Sequence, residues 1–253
     1  VTDRDAGIPA AAKQYSDRLQ YGDYDRFNAN LGDDVAAVIV EADDNPAFLR
    51  WLRMMCDKFG IVLIFDEVIT GFRYSMGGAQ RYWNVTPDLA TFGKAMANGM
   101  PLAALCGCKR IMSTMSPPDN IFYSGTMFGE TLSIAASIAT IKKLDKEKVP
   151  IHLRRIGAEI YVEADKLIAK HDLDRAIKLT GQHPRMMIEC MDADGATANQ
   201  IKTLFMQQMI QNGVLVINSH NVSFAMGQAE INRVVSAYDK TLSVLAEALD
   251  KGD

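Results

Sequence analysis

The chain has 253 residues, of which 48% are hydrophobic and 23% charged, with a formal net charge of -4. That length buries a core without disulfide or metal staples, no apolar run approaches the roughly 20 residues that span a bilayer, and Lys and Arg are spread along the chain with no basic stripe. Neither a membrane nor a nucleic acid is an expected partner.

The first segment lacks the charged start and apolar centre of a secretory signal, and Cys56, Cys106, Cys108 and Cys190 sit in apolar stretches. Both features point to a reducing cytoplasm. Cys106 and Cys108 form a C-x-C pair with no second pair or nearby histidine, so buried thiols are expected and no metal. The chain opens on Val1 instead of Met, as a processed or shortened sequence would.

Residues 35–40 are apolar throughout and read as a strand buried on both faces. A helix follows, with Asn45 as N-cap, Pro46 at the first helical position, Phe48, Trp51, Leu52, Met55 and Phe59 at helical spacing, and Gly60 as stop. Residues 61–65 are a second apolar strand. Strand, short helix, strand is a βαβ unit, whose strands should be parallel. A third strand is expected over 102–106 after Pro101, then a helix over 131–144 with Leu132, Ala135, Ala136 and Ala139 on its apolar face.

Beyond Pro150 the pattern predicts a helix over 154–171, a strand over 186–190, a helix ending before Gly213 and a strand over 214–217. A final helix carries Ile231, Val234, Val235, Tyr238, Leu242, Leu245 and Leu249 at near-ideal spacing. The expected class is α/β: a layer with a mostly parallel sheet over 1–148, followed by a small α+β domain over 149–253.

In open α/β sheets functional groups gather beyond the carboxyl ends of strands. Asp66 and Glu67 stand there, directly after 61–65, and two readings fit them: a helix cap or ion pair, and a ligand-holding carboxylate. Lys94 lies among small and apolar neighbours between Gly93 and Ala95. It is either a solvated surface charge or, where desolvation favours the neutral amine, a nucleophile. The four histidines show no triad or metal spacing and read as solvated or capping.

The run Phe65-Asp66-Glu67-Val68-Ile69-Thr70-Gly71-Phe72-Arg73, then Pro87-Asp88-Leu89, Gly93-Lys94-Ala95 through Gly99-Met100-Pro101, and Ser124-Gly125-Thr126 resembles the class III pyridoxal-phosphate (PLP) aminotransferases. The Thr-Gly-Phe-Arg ending is most similar to their glutamate-1-semialdehyde aminomutase branch. The resemblance implies PLP fold type I, like aspartate aminotransferase, with a reduced large domain, and a homodimer whose active site lies at the subunit interface. It implies that Lys94 forms the Schiff base and moves protons, and that Asp66 holds the pyridine nitrogen. A charge pair at about 4 Å and a dielectric near 20 is worth roughly 4 kcal/mol, enough to keep that nitrogen protonated.

By the same resemblance Val68 presses on one ring face, and Gly125 with Thr126 contacts the phosphate from the partner subunit. Arg73 is open to two roles, a substrate-carboxylate contact and, preferred, a structural one. The implied activity is transamination between an amine or amino acid donor and an oxo acid or aldehyde acceptor. Its alternatives are an aminomutase reaction and a non-catalytic remnant acting as a binding module. Two family features are missing here: the Gly-Ser/Thr phosphate turn with a ring-stacking aromatic, and the proline and glycine-rich loop after Glu41.

Overall fold

The computed structural model describes residues 7–119 and 121–252. Two short helices, α1 (Ala10–Lys13) and α2 (Tyr24–Asn30), precede β1 (Ala37–Glu41), α3 (Pro46–Phe59) and β2 (Val62–Asp66). Residues of the βαβ unit form as their punctuation dictates. Asn45 adopts a left-handed φ of 48° and its side chain accepts from the Phe48 N–H at 3.1 Å. Gly60, at φ 69°, ends the helix, and the Ile61 N–H closes back onto the Cys56 carbonyl.

The chain continues through α4 (Gly78–Trp83), β3 (Leu89–Phe92), a 3-10 turn at Lys94–Met96, β4 (Ala104–Gly107) and α5 (Lys109–Met112). The sheet runs β1-β2-β3-β4, parallel through β3, with β4 antiparallel at the edge. β3 has no counterpart in the pattern reading, because four residues next to a turn give too little periodicity to register.

One face of this sheet carries Val40, Leu63, Phe65 and Ala90 into a cluster with Phe48, Leu49, Leu52 and Cys56 of α3. On the other face Ile64 and Thr91 are half-buried, and the flanking strands are open among the described residues. Ile39 is 63% exposed there, so the expectation of strands buried on both sides is corrected: an all-apolar run shows that neither face is charged, not that both are covered. Cys106 is exposed on edge strand β4, while Cys56 is buried and Cys108 and Cys190 are half-buried, so the expectation of buried thiols holds fully only for Cys56.

A long helix, α6 (Thr131–Lys146), joins this layer to α7 (Val149–Lys170). Its expected face is also corrected. Ser133 and Ser137 are the buried positions, and Leu132, Ile134 and Ile138 point outward. Small serines let α6 lie close to the Lys94–Met96 turn and to α7. α7 starts five residues earlier than the expected 154, because Pro150 sits in its first turn, where the missing N–H has no partner to lose.

Then come β5 (Ile177–Gln182), β6 (Arg185–Cys190), α8 (Ala198–Gln211), β7 (Ser219–Asn221) and α9 (Gln228–Lys251). β5, β6 and β7 form an antiparallel sheet. The strand expected over 214–217 is instead a loop. The Val214 N–H closes α8 onto Met209, Leu215 and Ile217 are exposed, and pairing with β6 falls to Ser219–Asn221. α9 buries Ile231, Val234, Tyr238, Leu242, Leu245 and Leu249, as its spacing requires. This second apolar cluster draws its buried residues from Val149 to Leu249, separate from that around α3.

Candidate active site

Asp66 is the last residue of β2, and its register partner on β3 is Thr91. One carboxylate oxygen, Oδ1, accepts from the Val68 N–H at 3.0 Å and from the Thr91 hydroxyl at 3.3 Å. Among the described residues nothing donates to Oδ2. The carboxylate is thus half-buried, fixed by one oxygen and open at the other. Its neighbour Glu67 faces the other way and is fully buried. Glu67 accepts from the Thr70 hydroxyl, from the Ala79 and Gln80 N–H groups and from the Gln80 side chain, so it caps α4. The two readings of the acidic pair are therefore divided: Glu67 is the helix cap and Asp66 is left to the sheet edge.

Three residues beyond Thr91, Lys94 opens the 3-10 turn with a left-handed φ of 41°, a conformation costing on the order of 1 kcal/mol for a residue with a Cβ. Its side chain is exposed and carries no hydrogen bond or ion pair among the described residues. Gly93 is extended, and a Cβ placed there would lie 3.6 Å from Val68 Cγ1. Val68 therefore covers the backbone next to Lys94 while its N–H holds Asp66. Strands lie about 4.8 Å apart and rise about 3.3 Å per residue, so the 66 and 94 backbones stand within roughly 11 Å at one sheet edge.

A carboxylate with one free oxygen at the end of β2, and a free amine on the turn that follows the neighbouring parallel strand β3, are the donor set that a ring with an aldehyde at one end and a basic nitrogen at the other requires. PLP fits these residues on that chemistry. Its phosphate has no matching cradle within the same group. Gly125 and Thr126 lie on an exposed loop before α6, and among the described residues no hydrogen bond or ring contact ties that loop to Asp66, Val68 or Lys94.

The structural roles of Asp88, Glu41 and Asp43 escaped the sequence reading, whereas that of Arg73 did not. Asp88, in the Pro87-Asp88-Leu89 run, is structural: its Oδ2 accepts from the Leu63 N–H and from Arg53, both at 2.8 Å. Burial would raise its carboxyl, but the Leu63 amide and the Arg53 guanidinium hold it below the usual range. Glu41, paired in register with Asp66, receives Arg185 Nη1 at 2.7 Å, and Asp43 receives the same nitrogen at 3.0 Å. Burial pushes the Glu41 carboxyl up against the pull of Arg185. Arg73 takes the structural role, donating to the Pro184 and Val222 carbonyls at 3.0 and 2.9 Å. No single motif announces the partners of Glu41, Asp43 and Arg73, because those partners lie more than a hundred residues away.

Among the described residues no cluster of His, Cys, Asp or Glu could hold a metal, and no helix is long and apolar enough to cross a membrane. The histidines hold structural positions: His220 meets the Tyr238 hydroxyl at 2.8 Å, His171 meets Asp239 and His152 meets the Met226 carbonyl.

A family model described as aminotransferase class-III matches residues 10–237. Among solved structures, the PLP internal aldimine form of the FumI protein of Sphingopyxis sp. MTA144 superposes with a TM-score of 0.85 at 25% identity, over 98% of this chain and 62% of that one. An omega-transaminase from Sphaerobacter thermophilus gives 0.83 at 24%, over 95% and 60%. An S-selective transaminase from Arthrobacter sp. gives 0.74 at 22%, over 88% and 54%. The chain thus spans 54–62% of the length of these three structures. Their common architecture is the fold of this chain: an α/β layer with a mostly parallel sheet, of PLP fold type I.

Proposed function

We propose that this chain, which belongs to the class-III aminotransferase family, carries the amine-capturing and ring-holding groups of a PLP-dependent transaminase. The observation behind this reading is the pairing at the carboxyl ends of two strands: among the described residues Asp66 is pinned through Oδ1 with Oδ2 free, and Lys94, on the turn after the adjacent strand, is unpartnered. When bound, PLP supplies an aldehyde that condenses with amines and a ring that accepts the electrons of a substrate carbanion.

The chain's residues do the rest. Lys94 Nζ, exposed and unpartnered among the described residues, would hold the cofactor through its amine and would carry a proton as base and acid once the donor's amine took its place. Asp66 Oδ2 would hold the protonated ring nitrogen, while Val68 N–H and Thr91 O–H keep the carboxylate from turning. Val68 would support the ring. Gly125 and Thr126 hold the phosphate of a neighbouring protomer in a homodimer, which accounts for their loop standing away from Lys94 and exposing Phe122 and Phe128.

The substrates in this reading are an amino donor and an oxo acceptor. Residues 1–148 and 149–253 act as separate domains, a division supported by the two apolar clusters. Four unpaired thiols suit the cytoplasm. The Thr70-Gly71-Phe72-Arg73 segment also favours a second reading, intramolecular amine transfer of the glutamate-1-semialdehyde aminomutase type. A screen of amino donors against pyruvate and 2-oxoglutarate, run beside an aminomutase assay, separates the two.

Purified protein with added PLP should develop imine absorption near the visible edge, and borohydride should fix the cofactor on Lys94. Lys94→Ala should abolish both. Wild-type protein with no band and no labelled Lys94 would overturn the enzyme reading and leave a binding module.

A further inference from the structure

The sequence contains two Asn-Gly pairs, Asn98-Gly99 and Asn212-Gly213, and the fold treats them oppositely. Asn212 is tied down: its side-chain amide donates to the Gln208 carbonyl at 2.8 Å, and the Gly213 N–H donates to the Ile210 carbonyl at 2.9 Å, closing the end of α8. Asn98 follows Lys94 by one helical turn and is exposed. Its side chain has no partner among the described residues, and neither has the Gly99 N–H. Asn98 adopts φ 46° and Gly99 φ 105°, with nothing within 4 Å of where a Gly99 Cβ would stand. A free nucleophilic amide nitrogen thus lies one bond beyond a free side-chain amide, in an open loop.

We propose that Asn98-Gly99 is a self-deamidating modification site in the loop that carries Lys94. The Gly99 nitrogen attacks Asn98 Cγ, forming a five-membered imide. The Cγ–Nδ2 bond breaks, and Nδ2 leaves as ammonia with the Gly99 proton. Solvent water then opens the imide at either carbonyl, giving aspartate or isoaspartate at 98. No oxidant is consumed, and one negative charge is gained on the turn whose Asn98 N–H is bonded to the Lys94 carbonyl at 3.0 Å. Asn212 resists because its two reacting groups are already occupied, and lifting either breaks a hydrogen bond at a helix end.

The consequence for function rests on the PLP reading: a carboxylate at 98, one turn from Lys94, repels the anionic phosphate of the incoming cofactor and slows its capture. The modification itself stands without that reading.

The full chain is incubated in mildly alkaline buffer and mapped by peptide mass, with a parallel sample in urea. The folded sample should show the NH-to-O mass gain and two isomeric peaks at Asn98, while Asn212 stays unchanged. In urea both sites should react. Equal rates at the two sites in the folded protein, or an inert Asn98, would overturn the proposal. Asn98→Gln should abolish the change at that position. Asn98→Asp should take up PLP more slowly than wild type, and an equal rate would refute the functional consequence. If wild type captures no PLP, the transaminase reading fails while the peptide map still decides the modification.

Discussion

Replacing Glu67 by Gln removes a charge from a fully buried carboxylate that receives four donors: Thr70 Oγ1 at 2.7 Å and the Ala79 N–H at 2.6 Å on Oε2, and the Gln80 N–H at 2.9 Å and Gln80 Nε2 at 3.3 Å on Oε1. Whichever way the new amide turns, its NH2 faces a backbone N–H and leaves that donor without an acceptor. Turning toward Gln80 is the less costly choice, because the Gln80 side chain can reverse and accept. One orphaned backbone donor and the loss of charge assistance on the remaining bonds together cost about 3 kcal/mol. At a urea m-value of about 2 kcal/mol/M the midpoint should fall by about 1.5 M. Cofactor retention should weaken as well, since Glu67 anchors the turn from which Val68 donates to Asp66. A Glu67→Gln midpoint equal to that of wild type would refute the capping role.

Asp66→Asn keeps an acceptor for the Val68 and Thr91 donors but removes the charge facing the ring nitrogen. Against a ceiling of roughly 4 kcal/mol, PLP affinity should drop by about a hundredfold, measured by equilibrium dialysis; unchanged affinity would dismiss Asp66 as the ring's partner. His220 is held by burial near a pKa of about 4, below its unfolded 6.5. The unfolded chain therefore binds the extra proton first, so stability is full above about pH 6.5 and falls by about 3 kcal/mol as the pH drops to about 4. Urea melts across that range should show a slope that His220→Asn flattens; an identical slope in the variant would remove His220 as its source. Gly157→Ala places a Cβ 1.9 Å from the His183 carbonyl oxygen. Displacing α7 from that turn should cost about 3 kcal/mol, and a thermal midpoint matching wild type would show the contact to be slack.

Local chemistry made much of the framework legible. The α3 boundaries follow from Asn45, Pro46 and Gly60 because capping and positive φ are decided within a few residues. The parallel pairing of β1 with β2 follows from the short helix between them. The α9 stripe was readable because one cluster buries it along its length. Asp66 and Lys94 stood out through position and family motif.

What the sequence left open depended on distant groups. Asp66 and Glu67 are adjacent carboxylates with identical local prospects, and only the approach of α4 to one and of Thr91 to the other separates a helix cap from a carboxylate left with one free oxygen. The apolar run of β1 could not say that one of its faces would be uncovered, nor could the residues of α6 say that serines would face inward. Periodicity records which side chains are alike, and burial is set by whatever packs against them. The same reason separates the two Asn-Gly pairs, identical as dipeptides, one locked by the end of α8 and the other left free beside Lys94.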